Sequence, residues 1–181
     1  YYGVDEANKY TKNSRIITET KMAERTLELL NLSYNQTNLI LDIGCGTGIS
    51  GQVLTDAGCL WIGLDISEAM LNIANEKDLE GGLIECDMGN GLPFRSEMFD
   101  GCISLSALQW LSYVSKSEHN AIARIYKFFS TLYSVLKLGS RAVFQFYPDS
   151  PDQIELFTKY ALKAGFTGGV LVDYPNSTKA K

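Results

Sequence analysis

Apolar residues arrive along the chain in two alternating rhythms. Residues 39–43, LILDI, form a short and almost unbroken apolar run that stops at glycines, as a strand buried on both faces does. Similar runs occupy residues 60–66, 83–86, 100–105, 141–147 and 169–173. Between them the spacing becomes helical. Met22, Ala23, Leu27 and Leu30 share one side of residues 18–32; Ile49, Val53, Leu54 and Ala57 do so in 47–57, where Gly58 is the stop. Ser67 caps a third helix that buries Met70, Ile73 and Ala74. The clearest helix is 118–138: Ile122, Ile125, Tyr126, Phe129, Leu132, Tyr133 and Leu136 recur at helical intervals, and Gly139 ends the run. Pro148 stops the fifth strand. Ser150 and Pro151 then open a helix as N-cap and first-turn proline; it buries Ile154, Phe157, Tyr160 and Ala161 and closes at Gly165. Six strands alternating with helices predict an α/β fold: a Rossmann-like, doubly wound, mostly parallel sheet with helices on both faces. With no repeat, low-complexity block or linker, residues 1–181 read as a single domain, and 176–181 as a turn with no strand after it.

Composition adds limits. A chain of 181 residues, 45% hydrophobic and 20% charged, is long enough for a sizeable core. No apolar run reaches the roughly 18 residues of a membrane helix, and the first residues do not resemble a signal peptide. The chain opens on Tyr1 and not Met, as a segment of a longer protein would. Cys45, Cys59, Cys86 and Cys102 are scattered, and His119 is the one histidine. That pattern predicts neither a metal site nor a disulfide framework but buried, reduced thiols and an intracellular protein. A net charge of −5 argues against this chain alone gripping a phosphate backbone.

The candidate chemistry starts in LILDIGCGTGIS, residues 39–50. A strand, a glycine-rich loop and a helix place backbone N–H groups at the carboxyl ends of the strands, where open α/β sheets bind ligands. Gly46, Gly48 and Gly51 satisfy the dinucleotide pattern G-x-G-x-x-G, with Asp65 at the ribose distance, so a dinucleotide enzyme stays open. Three acids favour S-adenosylmethionine. Asp42, ending the first strand, suits the ammonium of a methionine moiety and would repel a pyrophosphate. Asp65, ending the second in GLDIS beside Ile66, suits the ribose hydroxyls. Asp87, ending the third in ECDM, suits the adenine amino group, with Met88 packing on the ring. Gly44, Cys45, Gly46 and Gly48 make the loop, and Ser104 at the end of the fourth strand completes the candidate cofactor set.

The fourth strand runs on as FDGCISLSALQWLSYV. Enzymes that methylate exocyclic amino groups often carry an Asn/Asp-Pro-Pro-aromatic turn here; Ser104, Ser106, Gln109 and Trp110 stand there instead. No His, Glu or Asp falls between Cys102 and Lys116, so no general base is expected. Such a site suits a nucleophile with no proton to lose, guanine N7 among them, which needs only positioning. Gln109, Trp110 and Tyr147 are the candidates to position and stack the acceptor.

The segments KYTKNSRI, LDIGCGTGISG, WIGLDISEAML, FDGCISLSALQWL, GSRAVFQFYP and KAGFTGGVLVDYPNSTKAK resemble the eukaryotic 18S ribosomal RNA guanine-N7 methyltransferase family over essentially the whole chain. The resemblance implies S-adenosylmethionine as donor, S-adenosylhomocysteine as product, and 18S rRNA as acceptor. It also implies action in small-subunit maturation in the nucleus or nucleolus, with the cytoplasm also possible. It implies a lid over about residues 1–32, with Asn13–Arg15 folding over the cofactor and Arg15 near its carboxylate. It further implies a final strand and basic tail beyond this chain, and a small zinc-binding activator protein. The activator is expected at an edge strand, residues 83–87, from Leu83 to Asp87. A small-molecule methyltransferase and a cofactor-binding assembly factor with dispensable catalysis are the alternatives.

Overall fold

A computed structural model describes residues 13–113 and 118–173; the expected turn at 176–181 lies outside them. The chain begins with helix α1 (Asn13–Leu30), then strand β1 (Leu39–Ile43), helix α2 (Ile49–Asp56), strand β2 (Leu60–Asp65) and helix α3 (Glu68–Asn75). Strand β3 (Gly81–Glu85), strand β4 (Phe99–Leu105), helix α4 (Glu118–Val135), strand β5 (Leu136–Gln145) and helix α5 (Pro151–Ala164) follow. Short 3-10 turns at Met88–Asn90 and Leu108–Ser112 lie after β3 and β4.

Every strand pair is parallel, in the order β3-β2-β1-β4-β5. β1 is central because its run is buried on both faces. Ile40 packs with Trp61, Ile103 and Leu54 on the side of α1 and α2, while Leu41 and Ile43 pack with Phe128, Phe129 and Leu132 of α4 on the other. The alternation is the period-two geometry of a strand. The register sets Ile43 beside Leu64 and Ser104, and Asp65 beside Glu85, so the strands end nearly level and their carboxyl ends form one rim.

The α/β architecture stands as expected, with three local corrections. Residues 169–173 form no strand; Val170, Leu171 and Val172 are exposed, because an apolar run becomes a strand only where a neighbour offers a ladder. Among the described residues the sheet therefore has five strands and not six. The helix expected to run to residue 138 ends at Val135: Leu136 already pairs with Phe99, and a bulge with Gly139 at φ +82° restores pairing at Arg141. The buried stripe of α4 is Ile125, Phe128, Phe129, Leu132 and Val135, whereas Ile122, Tyr126 and Tyr133 lie 41–45% exposed.

Candidate active site

The strand ends, the 3-10 turns and α1 enclose a cavity of about 880 Å³, the size of a small-molecule site. Its floor is the glycine loop. Gly44, Gly46 and Gly48 have φ of +73°, +53° and +79°, which lets the loop double back while the N–H groups of Gly44 and Cys45 both donate to the Leu64 carbonyl. Gly44, Cys45 and Gly46 are on the wall. Gly48 is off it: it precedes α2 and packs so tightly that a Cβ would meet Leu79 at 2.7 Å.

The three expected acids have three different fates. Asp65 is on the wall, held by the N–H of Gly46 (2.9 Å) on one oxygen and of Ser67 (2.8 Å) on the other. Burial raises its pKa, against the lowering by those N–H groups. Asp87 is also on the wall, but Arg124 of α4 grips its carboxylate bidentately at 2.9 and 2.7 Å, and Gly89 N–H donates at 3.0 Å. The guanidinium holds Asp87 below the ordinary carboxylate range. Asp42 is fully buried and not on the wall. The Ser50 hydroxyl, which is, donates to Asp42 Oδ2 at 2.5 Å, and Oδ1 has no hydrogen-bond partner among the described residues. Asp42 thus reaches the cavity through Ser50 and not directly. Burial pushes its carboxyl up to about 7, more than the Ser50 bond lowers it.

Ile66 and Met88 flank the cavity, and Arg15, Thr18, Glu19 and Met22 bring α1 over it. Ser104 is corrected: it is buried, donates to the Ile43 carbonyl at 2.8 Å, and is not on the wall. β4 runs one residue further and turns at Ser106, a non-glycine at φ +53°, so Leu105, Ser106 and Ala107 make that side. Such left-handed residues concentrate at functional sites. Gln109 closes the turn by donating to the Ser106 carbonyl at 2.9 Å. Trp110, Tyr113 and Tyr147 stand at the mouth, with the Trp110 and Tyr113 rings 5.5 Å apart. Gln109, Trp110 and Tyr147 are thus brought together as expected. Ser50, Tyr113 and Arg124 are additions; Arg124 lies 37 residues from Asp87, and no local pattern pairs them.

A methyltransferase-domain family model matches residues 41–144. The chain is 54% identical over its whole length to the 18S rRNA (guanine-N(7))-methyltransferase of Mus musculus, of which it covers 65%. It is 46% identical to that of Schizosaccharomyces pombe, of which it covers 68%. The chain belongs to the 18S rRNA guanine-N7 methyltransferase family. It spans about 65% of the length of the first of these relatives. Among solved structures, a complex of the Haloferax volcanii Trm112 methyltransferase activator with a methyltransferase shares the fold, at TM-score 0.51 and 19% identity, covering 75% of this chain and 57% of that one.

The family is S-adenosylmethionine-dependent, and the cavity fits that cofactor. Asp65 is a fixed acceptor at a strand end, Ile66 and Met88 are apolar flanks, and the buried Asp42–Ser50 pair places a carboxyl under the loop that a ligand ammonium would ionise. Two outcomes follow. Asp65→Ala is expected to weaken S-adenosylmethionine binding about 10- to 150-fold, the loss of charge-assisted hydrogen bonds. Isothermal calorimetry checks this, and unchanged affinity contradicts it. A ligand ammonium favours ionised Asp42, so binding at or below about pH 7 releases part of a proton, and affinity rises with pH up to about 7, where the free protein loses that proton unaided. Calorimetry in two buffers of different ionisation enthalpy measures the release. 5′-Methylthioadenosine, which lacks the amino-acid end, is expected to show none.

Proposed function

We propose that the whole protein transfers the methyl group of S-adenosylmethionine to N7 of a guanine in small-subunit ribosomal RNA during subunit maturation, in the nucleus or nucleolus. One observation carries the choice of acceptor. The turn facing the cofactor cavity, Leu105 to Tyr113, supplies aromatic rings, hydroxyls and an amide, but no carboxylate or imidazole. An amine or hydroxyl nucleophile must lose a proton, whereas guanine N7 offers a bare lone pair.

When bound, the cofactor supplies an electrophilic methyl on a sulfonium. The chain's part is then binding and alignment. Asp65 fixes the ribose end, and the glycine loop cradles the amino-acid end over Ser50 and Asp42. Trp110, Tyr113 and Tyr147 sandwich and desolvate a purine extruded from the RNA. The aromatic wall favours a step in which positive charge spreads from one atom over a larger group.

The same reading includes a small activator protein. Among the described residues β3 is an edge strand, paired to β2 on one side alone, and an edge ladder accepts an added strand from a partner. The net charge of −5 also leaves phosphate binding to other segments or partners. The test is methyl transfer by full-length protein with its activator: label in RNA supports the reading, and label in metabolites alone overturns it.

A further inference from the structure

Beside the cavity, one hydrogen bond behind its wall, stands an exposed acid with no part in methyl transfer. Asp149, in the loop between β5 and α5, accepts a hydrogen bond from the Tyr113 hydroxyl through Oδ2, and among the described residues no other side chain donates to it. Tyr113 is itself part of the cavity wall and packs against Trp110, so the carboxylate stands next to the two rings where a purine would stack. The loop is tied down from behind. Ser150, Pro151, Asp152 and Gln153 begin α5 with the sequence of a capping box, and Ser150 Oγ accepts from the Gln153 N–H at 3.4 Å. The Gln153 side chain, however, does not turn back to Ser150. Its Oε1 accepts from the Asp149 N–H at 3.0 Å, and its Nε2 donates to Ser112 Oγ at 2.7 Å and to the Gln109 carbonyl at 3.4 Å. Gln153 is 8% exposed. A buried amide is therefore spent on joining the Asp149 loop to the turn that carries Gln109, Trp110 and Tyr113.

We propose that Asp149, held by Tyr113 and Gln153, selects guanine by accepting hydrogen bonds from its N1–H and exocyclic N2 amino group. The inference rests on the guanine-N7 reading above and deepens it. N7 alone does not distinguish guanine from adenine, since both carry the lone pair. The edge across the ring does: guanine presents two donors there, and adenine presents a bare acceptor at N1. A carboxylate, which only accepts, attracts the first and repels the second. A purine that points N7 into the cavity turns its six-membered ring toward the mouth, beside which Asp149 is bound to the Tyr113 hydroxyl. The acids that are on the wall have different work: Asp65 is fixed by two N–H groups, Asp87 by Arg124, and Glu19 acts electrostatically on Lys77. Gln153 is a positioning residue in this scheme, not a catalytic one.

The test is nucleotide binding to full-length protein loaded with S-adenosylhomocysteine, comparing guanosine monophosphate with inosine monophosphate, which lacks only the N2 amino group. The wild-type protein is expected to prefer the guanine nucleotide about 10- to 100-fold, one charge-assisted hydrogen bond. Asp149→Asn is expected to reduce the preference to about threefold or less, and Asp149→Glu to restore most of it. S-adenosylhomocysteine affinity should stay within about twofold in both variants, which separates lost recognition from a damaged fold. Equal binding of the two nucleotides, binding of neither, or a preference that survives Asp149→Asn overturns the inference. Failure of the underlying reading is distinguishable: wild-type protein then labels no RNA, whereas labelled RNA with a flat nucleotide preference removes Asp149 alone.

Discussion

Gly44→Ala is expected to abolish measurable cofactor binding, lowering affinity by at least about 100-fold, and to destabilise the protein by roughly 2–5 kcal/mol. Two costs combine. Gly44 has φ +73°, where an L side chain is strained, and a Cβ there would lie 2.2 Å from Ala107 Cβ. Two carbons do not approach that closely, so either the glycine loop or the turn after β4 must move. These are the two halves of the site, and moving one against the other misplaces cofactor relative to acceptor. The partner of the clash is known, which supplies a sharper test. Ala107→Gly removes the overlap and leaves the backbone strain, so Gly44→Ala with Ala107→Gly should recover more than half of the lost binding free energy. Calorimetry on the single and double variants measures this coupling. Normal binding by Gly44→Ala, or no recovery in the double variant, contradicts the account. Gly46→Ala should be milder, since its Cβ meets the mobile end of Met70 at 3.2 Å.

The second large effect lies under the sheet. Phe129→Ala is expected to cost about 3–5 kcal/mol of stability, a fall in Tm of roughly 6–20 °C for a domain of this size. Phe129 is 2% exposed, and its ring lies 5.0 Å from Phe128, 6.0 Å from Phe144 and 6.3 Å from Phe166. Removing it leaves a void between α4, β5 and the segment after α5. Ile122, read as part of the same stripe, is 41% exposed, and Ile122→Ala should cost no more than about 1 kcal/mol. Denaturant unfolding of both variants decides whether the core follows the structure or the periodicity. Equal costs would favour the periodicity.

That contrast shows how much the sequence told. β1, β2 and β4 were legible to within a residue, because a strand buried on both faces is a nearly continuous apolar run. β3 starts earlier than expected, at Gly81, since two glycines carry no side-chain pattern to read. The stripe of α4 was read too widely: Tyr126 and Tyr133 are apolar in body and polar at the tip, and such residues sit at the margin of a core. Val170 to Val172 look like a strand on composition, yet pairing depends on a neighbour and not on the run itself. In the site, Asp65 was legible as a strand-end acid, whereas Asp87, expected to close β3, lies two residues beyond it and caps the 3-10 turn. The burial of Asp42 behind Ser50 follows from the register of β1 between β2 and β4, which composition does not encode. Arg124 reaches Asp87 across 37 residues and Tyr113 reaches Asp149 across 36, contacts that exist only once the helices are packed.

Methyl transfer to guanine N7 at the turn after β4 is open to direct chemical test. Full-length protein with its activator, labelled S-adenosylmethionine and undermethylated small-subunit precursors are incubated, and the RNA is then reduced and treated with aniline, which cleaves at N7-methylguanine. Label in the RNA together with a single new strand scission is the expected result. Label without scission would place the methyl on another atom and contradict N7. No label, with cofactor binding intact, would contradict methyl transfer to RNA altogether.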